Sequence, residues 1–511
     1  MKSGSEFQVA AEDADERAIH ALQRRADDPR SSNDGWRSAI SPWTIIDQVR
    51  PGPLRALLAS DTDNRRGLLL RGSPKNVLSP SPLNSLTNPE RTRSIKQSMA
   101  NMTQPPWTVH THIIPAAYPR AFRRGVRDPQ TSRLKLHVNQ YIPHSAPPSA
   151  SSRPGATIIF AHGLGTPKET YEPFFADLLN HPSTPPIAAI WAADSVNHAA
   201  SYTLNESDIG DEPSWLDGAH DTLQLINHFQ SRMTVPLIGI GQSWGCVRIA
   251  LPASWNPRIF QAIILLEPVI ETGYYHLQEL KEPGYTGQTR HIAFAVSGMR
   301  DSWPDRASAH KAISKLGYYA GADPRVLERA YRHELRDLPD GTVTLSTPKY
   351  QQAQLFIRAG PAMAGYPEGY DWATRTAESY ASEGFYRGEP AKVKEYLRAV
   401  HCPVLYVWST DESFVSNPKY RARVVGVTGT GVGGGGGKEK GQVHEVFVKA
   451  GGHALPFIEP GETARVVAGW LGGEMGPRWE REEEERRDEA PIDPVTVPRE
   501  WMARIAKIAK I

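Results

Sequence analysis

Four short, nearly uninterrupted apolar runs constrain this chain more than any other feature: Ala156–Ala161, Ile187–Ala193, 235–240 and 261–266. A strand with one wet face alternates apolar and polar residues. A strand covered on both faces is apolar throughout. Between these runs lie amphipathic stretches, 168–179, 214–229 and 244–251, with the spacing of crossover helices. Strand and helix in alternation build a doubly wound, mostly parallel α/β sheet.

The rest of the chain is arranged around that pattern. Residues 1–104 are rich in Ser, Pro, Asn, Asp and Arg, with scattered apolar residues, and read as a mostly disordered extension. Within them 40–58 suggests a short helix, interrupted by Pro51 and Pro53. Residues 105–274 form the first part of the core, opening with two β-rich stretches at Trp107–Pro115 and 133–142. The rhythm then breaks across 275–400, which reads as helical and irregular, with helices expected at 306–316 and 324–335. Strands resume in 401–474 at 403–408 and Val443–Val448, followed by a helix at 462–471. An insertion between two sheet strands is expected to form a cap over the sheet edge. Residues 428–441 are a Gly-rich loop, and 475–511 a charged tail.

Composition excludes several classes of function. With 58 Lys+Arg against 56 Asp+Glu, the net charge of +2 gives no field for nucleic acid. The two cysteines, Cys246 and Cys402, exclude a disulfide framework and fit a reducing compartment as buried thiols. The acidic, non-apolar start argues against a secretory or mitochondrial leader. The longest apolar runs fall far short of the ~20 residues that span a bilayer, so no transmembrane segment is expected. No His, Cys or carboxylate spacing suggests a metal, and no cofactor is predicted. Gly429, Gly431 and Gly434 match a dinucleotide-loop pattern only inside a glycine tract, and Gly437-Lys438 lacks the Ser/Thr of a phosphate loop.

The sharpest chemical signal is Gly241-Gln242-Ser243-Trp244-Gly245, lying between an expected strand and an expected helix. A serine in such a tight turn leaves no room for side chains two residues to either side, hence the glycines. The hydroxyl is a weak nucleophile until a base removes its proton. His453, in Gly451-Gly452-His453-Ala454-Leu455-Pro456, follows the last apolar strand and is the candidate base. Its orienting acid is Glu267, which ends the strand after the elbow, with Asp411 and Glu412 after the next strand as alternatives. Glu267 is preferred because a carboxylate ending an apolar strand needs a partner to offset desolvation. Oxyanion donors are expected from the backbone N–H groups of Trp244 and of Leu164, the latter in His162-Gly163-Leu164-Gly165. His162 is read as a loop brace, and His198 and Asp221 as structural.

Together, His162-Gly163, the 241–245 elbow and Gly452-His453 resemble the α/β-hydrolase superfamily over roughly residues 107–471. Lys168-Glu169, Tyr171-Glu172-Pro173-Phe174-Phe175, residues 215–221 and Ser302-Trp303-Pro304 narrow this to fungal hydrolases related to peroxisomal lipases and toxin-biosynthesis proteins. The resemblance implies an α/β-hydrolase fold: an eight-stranded, mostly parallel sheet flanked by helices, with a helical cap after the sixth strand. It implies a serine hydrolase cleaving a carboxylic ester or thioester with a lipid-like or acyl-chain group. An acyltransferase on the same triad and a catalytically silent binding module are the rival readings. The final Ala509-Lys510-Ile511 resembles a Ser-Lys-Leu peroxisomal address, implying an import receptor as partner; otherwise the protein is expected in the cytoplasm. Trp501, Ile505 and Ile508, at helical spacing, offer the alternative of a terminal amphipathic helix.

Overall fold

In the computed structural model, residues 105–144, 155–270, 286–359, 385–386, 389–411, 415, 417–449, 452–489 and 495–508 are described. The expected disordered extension, the 40–58 helix and the terminal tripeptide lie outside them. The main sheet has eight strands: β1 (Trp107–Pro115), β2 (Lys135–Pro143), β3 (Ala156–Ala161), β4 (Ile187–Ala193), β5 (Leu237–Gln242), β6 (Ala262–Leu266), β7 (Val404–Ser409) and β8 (Val443–Val448). Their spatial order is β1-β2-β4-β3-β5-β6-β7-β8. β2 runs antiparallel to both β1 and β4. Every pairing from β4 to β8 is parallel.

The apolar runs divide by parity between two cores, which is why they do not alternate. On β6, Ile263 and Leu265 enter one core, while Ala262, Ile264 and Leu266 enter the other. The first core is closed by α3 (Trp215–His228) and α4 (Gly245–Trp255), the second by α1 (Glu172–Asn180). A short α2 (Ala199–Asn205) follows β4 and was not anticipated. Ser214 caps α3 through its Oγ, which accepts the Leu216 N–H.

Several boundaries move for local reasons. β5 begins at Leu237, because Pro236 has no N–H to give a ladder. Residues Lys168–Tyr171 form a 3-10 turn, and the α-helix starts at Glu172 with Pro173 in its first turn. Helix α4 continues past 251 to Trp255 despite Pro252 near its end.

The segment between β6 and β7 is not purely helical. Besides α5 (Thr286–Ser297), α6 (Arg306–Ile313), α7 (Pro324–His333) and α8 (Lys349–Phe356), it contains a three-stranded antiparallel sheet. Its strands, Ser302–Trp303, Val343–Leu345 and Leu335–Asp337, are too short to carry a readable period. Trp303, Ile313, Tyr319 and Val326 share the second core with β3, β5 and β6, so the insertion is fused to one sheet face. Helix α9 (Glu389–Leu397), placed in the insertion from sequence, sends Val393 and Leu397 into the first core with α4. The Gly-rich loop is laid down by backbone bonds, Gly431 N–H to Arg398 O and Gly435 N–H to Val400 O, ahead of β8. No helix among the described residues is long and apolar enough to cross a membrane.

Candidate active site

Ser243 follows β5 immediately, with φ of 55°, in the left-handed region that side chains rarely adopt. The flanking glycines are sterically required. A Cβ on Gly245 would lie 2.2 Å from the Ala161 carbonyl oxygen, and one on Gly241 2.7 Å from Cys246 backbone atoms. The turn exposes the serine side chain to the histidine loop that follows β8. There, Ser243 Oγ lies 2.7 Å from His453 Nε2.

Behind the histidine, Glu267 Oε2 lies 3.5 Å from His453 Nδ1. Glu267 is fully buried, its φ is 45°, and its Oε1 accepts the Ser409 N–H from the end of β7. An imidazole with its proton on Nδ1, facing this carboxylate, leaves Nε2 free to accept from the serine. Of the alternative acids, Asp411 is exposed, with its N–H on the Ser409 hydroxyl. Glu412 lies outside the described residues.

In the loop after β3, two amides are held by side chains. The Gly163 N–H donates to the Tyr171 hydroxyl (2.9 Å) and the Gly165 N–H to His198 Nε2 (3.0 Å). Leu164 sits between these two engaged amides. The N–H of Trp244, at the start of α4, has no carbonyl one turn earlier in the helix to bond. His162 braces the loop: its Nε2 accepts the Ser195 N–H (2.9 Å), and its Nδ1 lies 2.7 Å from Gly163 O. Burial, with the nearby Arg248 charge, holds His162 well below the ordinary imidazole value.

Two residues not singled out for chemistry connect these parts. The Tyr171 hydroxyl donates to Gln242 Oε1 (2.8 Å), and Gln242 Nε2 donates to the His453 carbonyl (3.1 Å). The relay runs from Gly163 through Tyr171 and Gln242 to the histidine loop. A Cβ on Gly163 would fall 2.1 Å from Gln242 Oε1, so a side chain there would displace the Gln242 amide. Residue type alone gives no signal for such a role; only the closeness of Gln242 to the serine hints at it.

A second polar cluster lies behind the loop. His137, Glu169 and Asp194 bring ligand-type atoms within 4.8 Å of one another. Lys168 Nζ already stands among them, 2.7 Å from both carboxylates and 2.9 Å from His137 Nδ1. An ammonium thus occupies the place a metal ion would take. Burial would raise Glu169, but the Lys168 charge, His333 and the hydrogen bonds to the carboxyl together hold it below the usual carboxylate range. Asp221, read as structural, forms a bidentate pair with Arg120 at 2.7 and 3.1 Å. Both cysteines are buried, and burial pushes the Cys402 thiol up to about 12.

Comparison with known proteins agrees with this architecture. The type I acyl-CoA thioesterase mpaH' of Penicillium brevicompactum is 32% identical over 427 residues, covering 78% of this chain and 95% of that protein. The abhydrolase domain-containing protein AFT2-1 of Alternaria alternata is 28% identical over 248 residues, 47% of this chain and 84% of its own. Among solved structures, the peroxisomal alpha-beta-hydrolase Lpx1 of Saccharomyces cerevisiae superposes with a TM-score of 0.56 at 16% identity, over 80% of this chain and 98% of its own, a likeness of fold. The sequence profile of the alpha/beta hydrolase family matches residues 158–466. With that match, and with a relative aligned over nearly its whole length, the chain belongs to the alpha/beta hydrolase family.

Proposed function

We propose that this protein is a serine hydrolase that cleaves an acyl thioester or carboxylic ester, with Ser243 as nucleophile, His453 as base and Glu267 as orienting acid. The observation that carries the reading is the 2.7 Å approach of Ser243 Oγ to His453 Nε2, with a buried carboxylate behind the imidazole. Ser243 Oγ attacks the acyl carbon as its proton passes to His453 Nε2. The tetrahedral oxyanion is held by the Leu164 and Trp244 N–H groups. Collapse breaks the bond to the leaving thiolate or alkoxide, which takes the proton back from His453. Water then gives a proton to the same nitrogen and attacks the acyl-serine, releasing the carboxylate and restoring Ser243.

The relatives named acyl-CoA thioesterases make a coenzyme A thioester the first substrate to test. Released thiol is followed with a chromogenic disulfide across a series of acyl chain lengths. Alongside it, a fluorophosphonate probe is applied to wild type and Ser243→Ala. Equal labelling of the two proteins would defeat the nucleophile assignment. Product analysis with added alcohol separates hydrolysis from acyl transfer. Ala509-Lys510-Ile511 is proposed as a peroxisomal address, tested by deleting it from a tagged protein; unchanged punctate targeting would count against it.

A further inference from the structure

Arg248 stands on α4, five residues after the nucleophile, in a setting that structure alone does not require. It is 2% exposed, yet among the described residues its Nε and Nη1 have no hydrogen-bond partner. Nη2 donates to the Ala193 carbonyl at 3.2 Å. The two carboxylates that act on it most strongly are engaged elsewhere: Asp221 with Arg120 and Asp194 with Lys168, each at 2.7 Å. Burial draws the guanidinium down to about 10, so it is a cation at neutral pH. Room for its stem is kept by Gly218 of α3, where a Cβ would meet Arg248 Cγ at 3.0 Å. Such a charge is costly to hold in a core, and ionisable groups perturbed by burial cluster at functional sites.

Its surroundings connect it to the proposed oxyanion hole. The Arg248 Cζ lies 5.6 Å from the centre of the Trp244 ring. That ring stacks on His198 at 5.9 Å and 17°, and His198 lies 5.1 Å from His162. His198 Nε2 accepts the Gly165 N–H, and His162 Nε2 the Ser195 N–H. Both acceptor roles require uncharged imidazoles. Burial, and then the Arg248 charge, lower His198 to about 3. The same two causes act on His162, with smaller contributions from His198 and Lys168. The column Arg248–Trp244–His198–His162 therefore touches both backbone segments that flank the serine.

We propose that Arg248 and His198 are positioning residues for the oxyanion hole. Arg248 braces Trp244, whose ring stacks on His198, and His198 tethers the Leu164 loop through Gly165. This rests on the functional reading above, and neither residue touches the reacting atoms.

The test compares Arg248→Met, Arg248→Lys and His198→Leu with wild type, by acyl thioester kinetics and by 15N NMR of the histidine rings. Arg248→Met and His198→Leu are expected to lower kcat about tenfold or more with KM within about twofold, the pattern of lost transition-state stabilisation. Arg248→Lys should recover part of kcat. In Arg248→Met the His198 ring should titrate at higher pH than in wild type, whereas in Arg248→Lys, which keeps the charge, it should stay closer to wild type; an equal shift in both would assign the change to packing rather than to the charge. Wild-type kcat in both Arg248→Met and His198→Leu, with unshifted ring titration, would overturn the proposal. If Arg248→Met does not fold, His198→Leu decides: retained kcat sinks the column. Failure of a fluorophosphonate to label wild-type Ser243 would instead defeat the functional reading. The ring titration needs no turnover and still judges Arg248.

Discussion

Replacing Glu267 by Gln isolates the part of the site that most needs a charge. The carboxylate is fully buried, with Oε1 accepting the Ser409 N–H and Oε2 3.5 Å from His453 Nδ1. In Glu267→Gln the amide oxygen retains the Ser409 bond, which turns the NH2 toward His453. An N–H facing Nδ1 selects the tautomer protonated on Nε2, and that nitrogen can no longer accept the Ser243 proton 2.7 Å away. The imidazolium also loses its counter-charge. A wrong tautomer of this kind costs about 10³–10⁴-fold in kcat, roughly 4–5.5 kcal/mol of barrier. The side chain keeps its volume and its Ser409 bond, so thermal unfolding should stay close to wild type. Asp411→Asn is the matched control, because Asp411 is exposed, and it should retain activity within about twofold. Turnover of a saturating acyl thioester, measured beside a melting curve, gives both readouts. Wild-type kcat in Glu267→Gln, or a collapse in Asp411→Asn, would refute the assignment.

Further predictions follow from the surrounding structure. Gly163→Ala puts a Cβ 2.1 Å from Gln242 Oε1, so the relay to the His453 loop must shift; kcat should fall about 10²-fold, as for an ångström-scale misplacement, and unchanged turnover would count against the relay. Arg120→Met leaves the buried Asp217 and Asp221 without their cation, and should destabilise the fold by about 3–5 kcal/mol in denaturant titration. Glu334, buried in the insertion and accepting from Tyr319 at 2.6 Å, is raised to about 8 by burial. The folded state therefore keeps a proton that the unfolded chain loses near 4.5, and stability falls by about 1.4 kcal/mol per pH unit between those values. Glu334→Gln mimics the protonated acid, so its melting temperature should gain on wild type as pH rises from 5 to 8; a constant difference would contradict the shift.

The parallel sheet was legible because both its faces are covered, which leaves a continuous apolar signature in β3 and β4. The elbow was legible because sterics permit so few residues around Ser243. The three-stranded sheet of the insertion was not, since strands of two or three residues carry no period. The linking role of Tyr171 and Gln242 was not legible for a different reason. A tyrosine and a glutamine are ordinary core and turn residues, and their role exists only once β5, the 3-10 turn and the His453 loop are brought together.

Glu267 occupies a middle case, and sheet register explains why. Gln242 at the end of β5 pairs with Leu266 at the end of β6, so the next residues, Ser243 and Glu267, leave the sheet side by side. Both adopt positive φ, at 55° and 45°. Strained backbone of this kind persists only where the surroundings over-determine it. Here the two turns hold each other: the Ser243 N–H donates to Leu266 O, and the Val269 N–H donates to Ser243 O. On the other side, Leu266 pairs with Val407, and the Glu267 N–H donates to the Val407 carbonyl. The sequence marked an acid at the end of an apolar strand but carried no trace of its register with the elbow. That register makes Glu267 part of the same preorganised edge as Ser243, and it is set by strand pairing in the core rather than by any residue of the site.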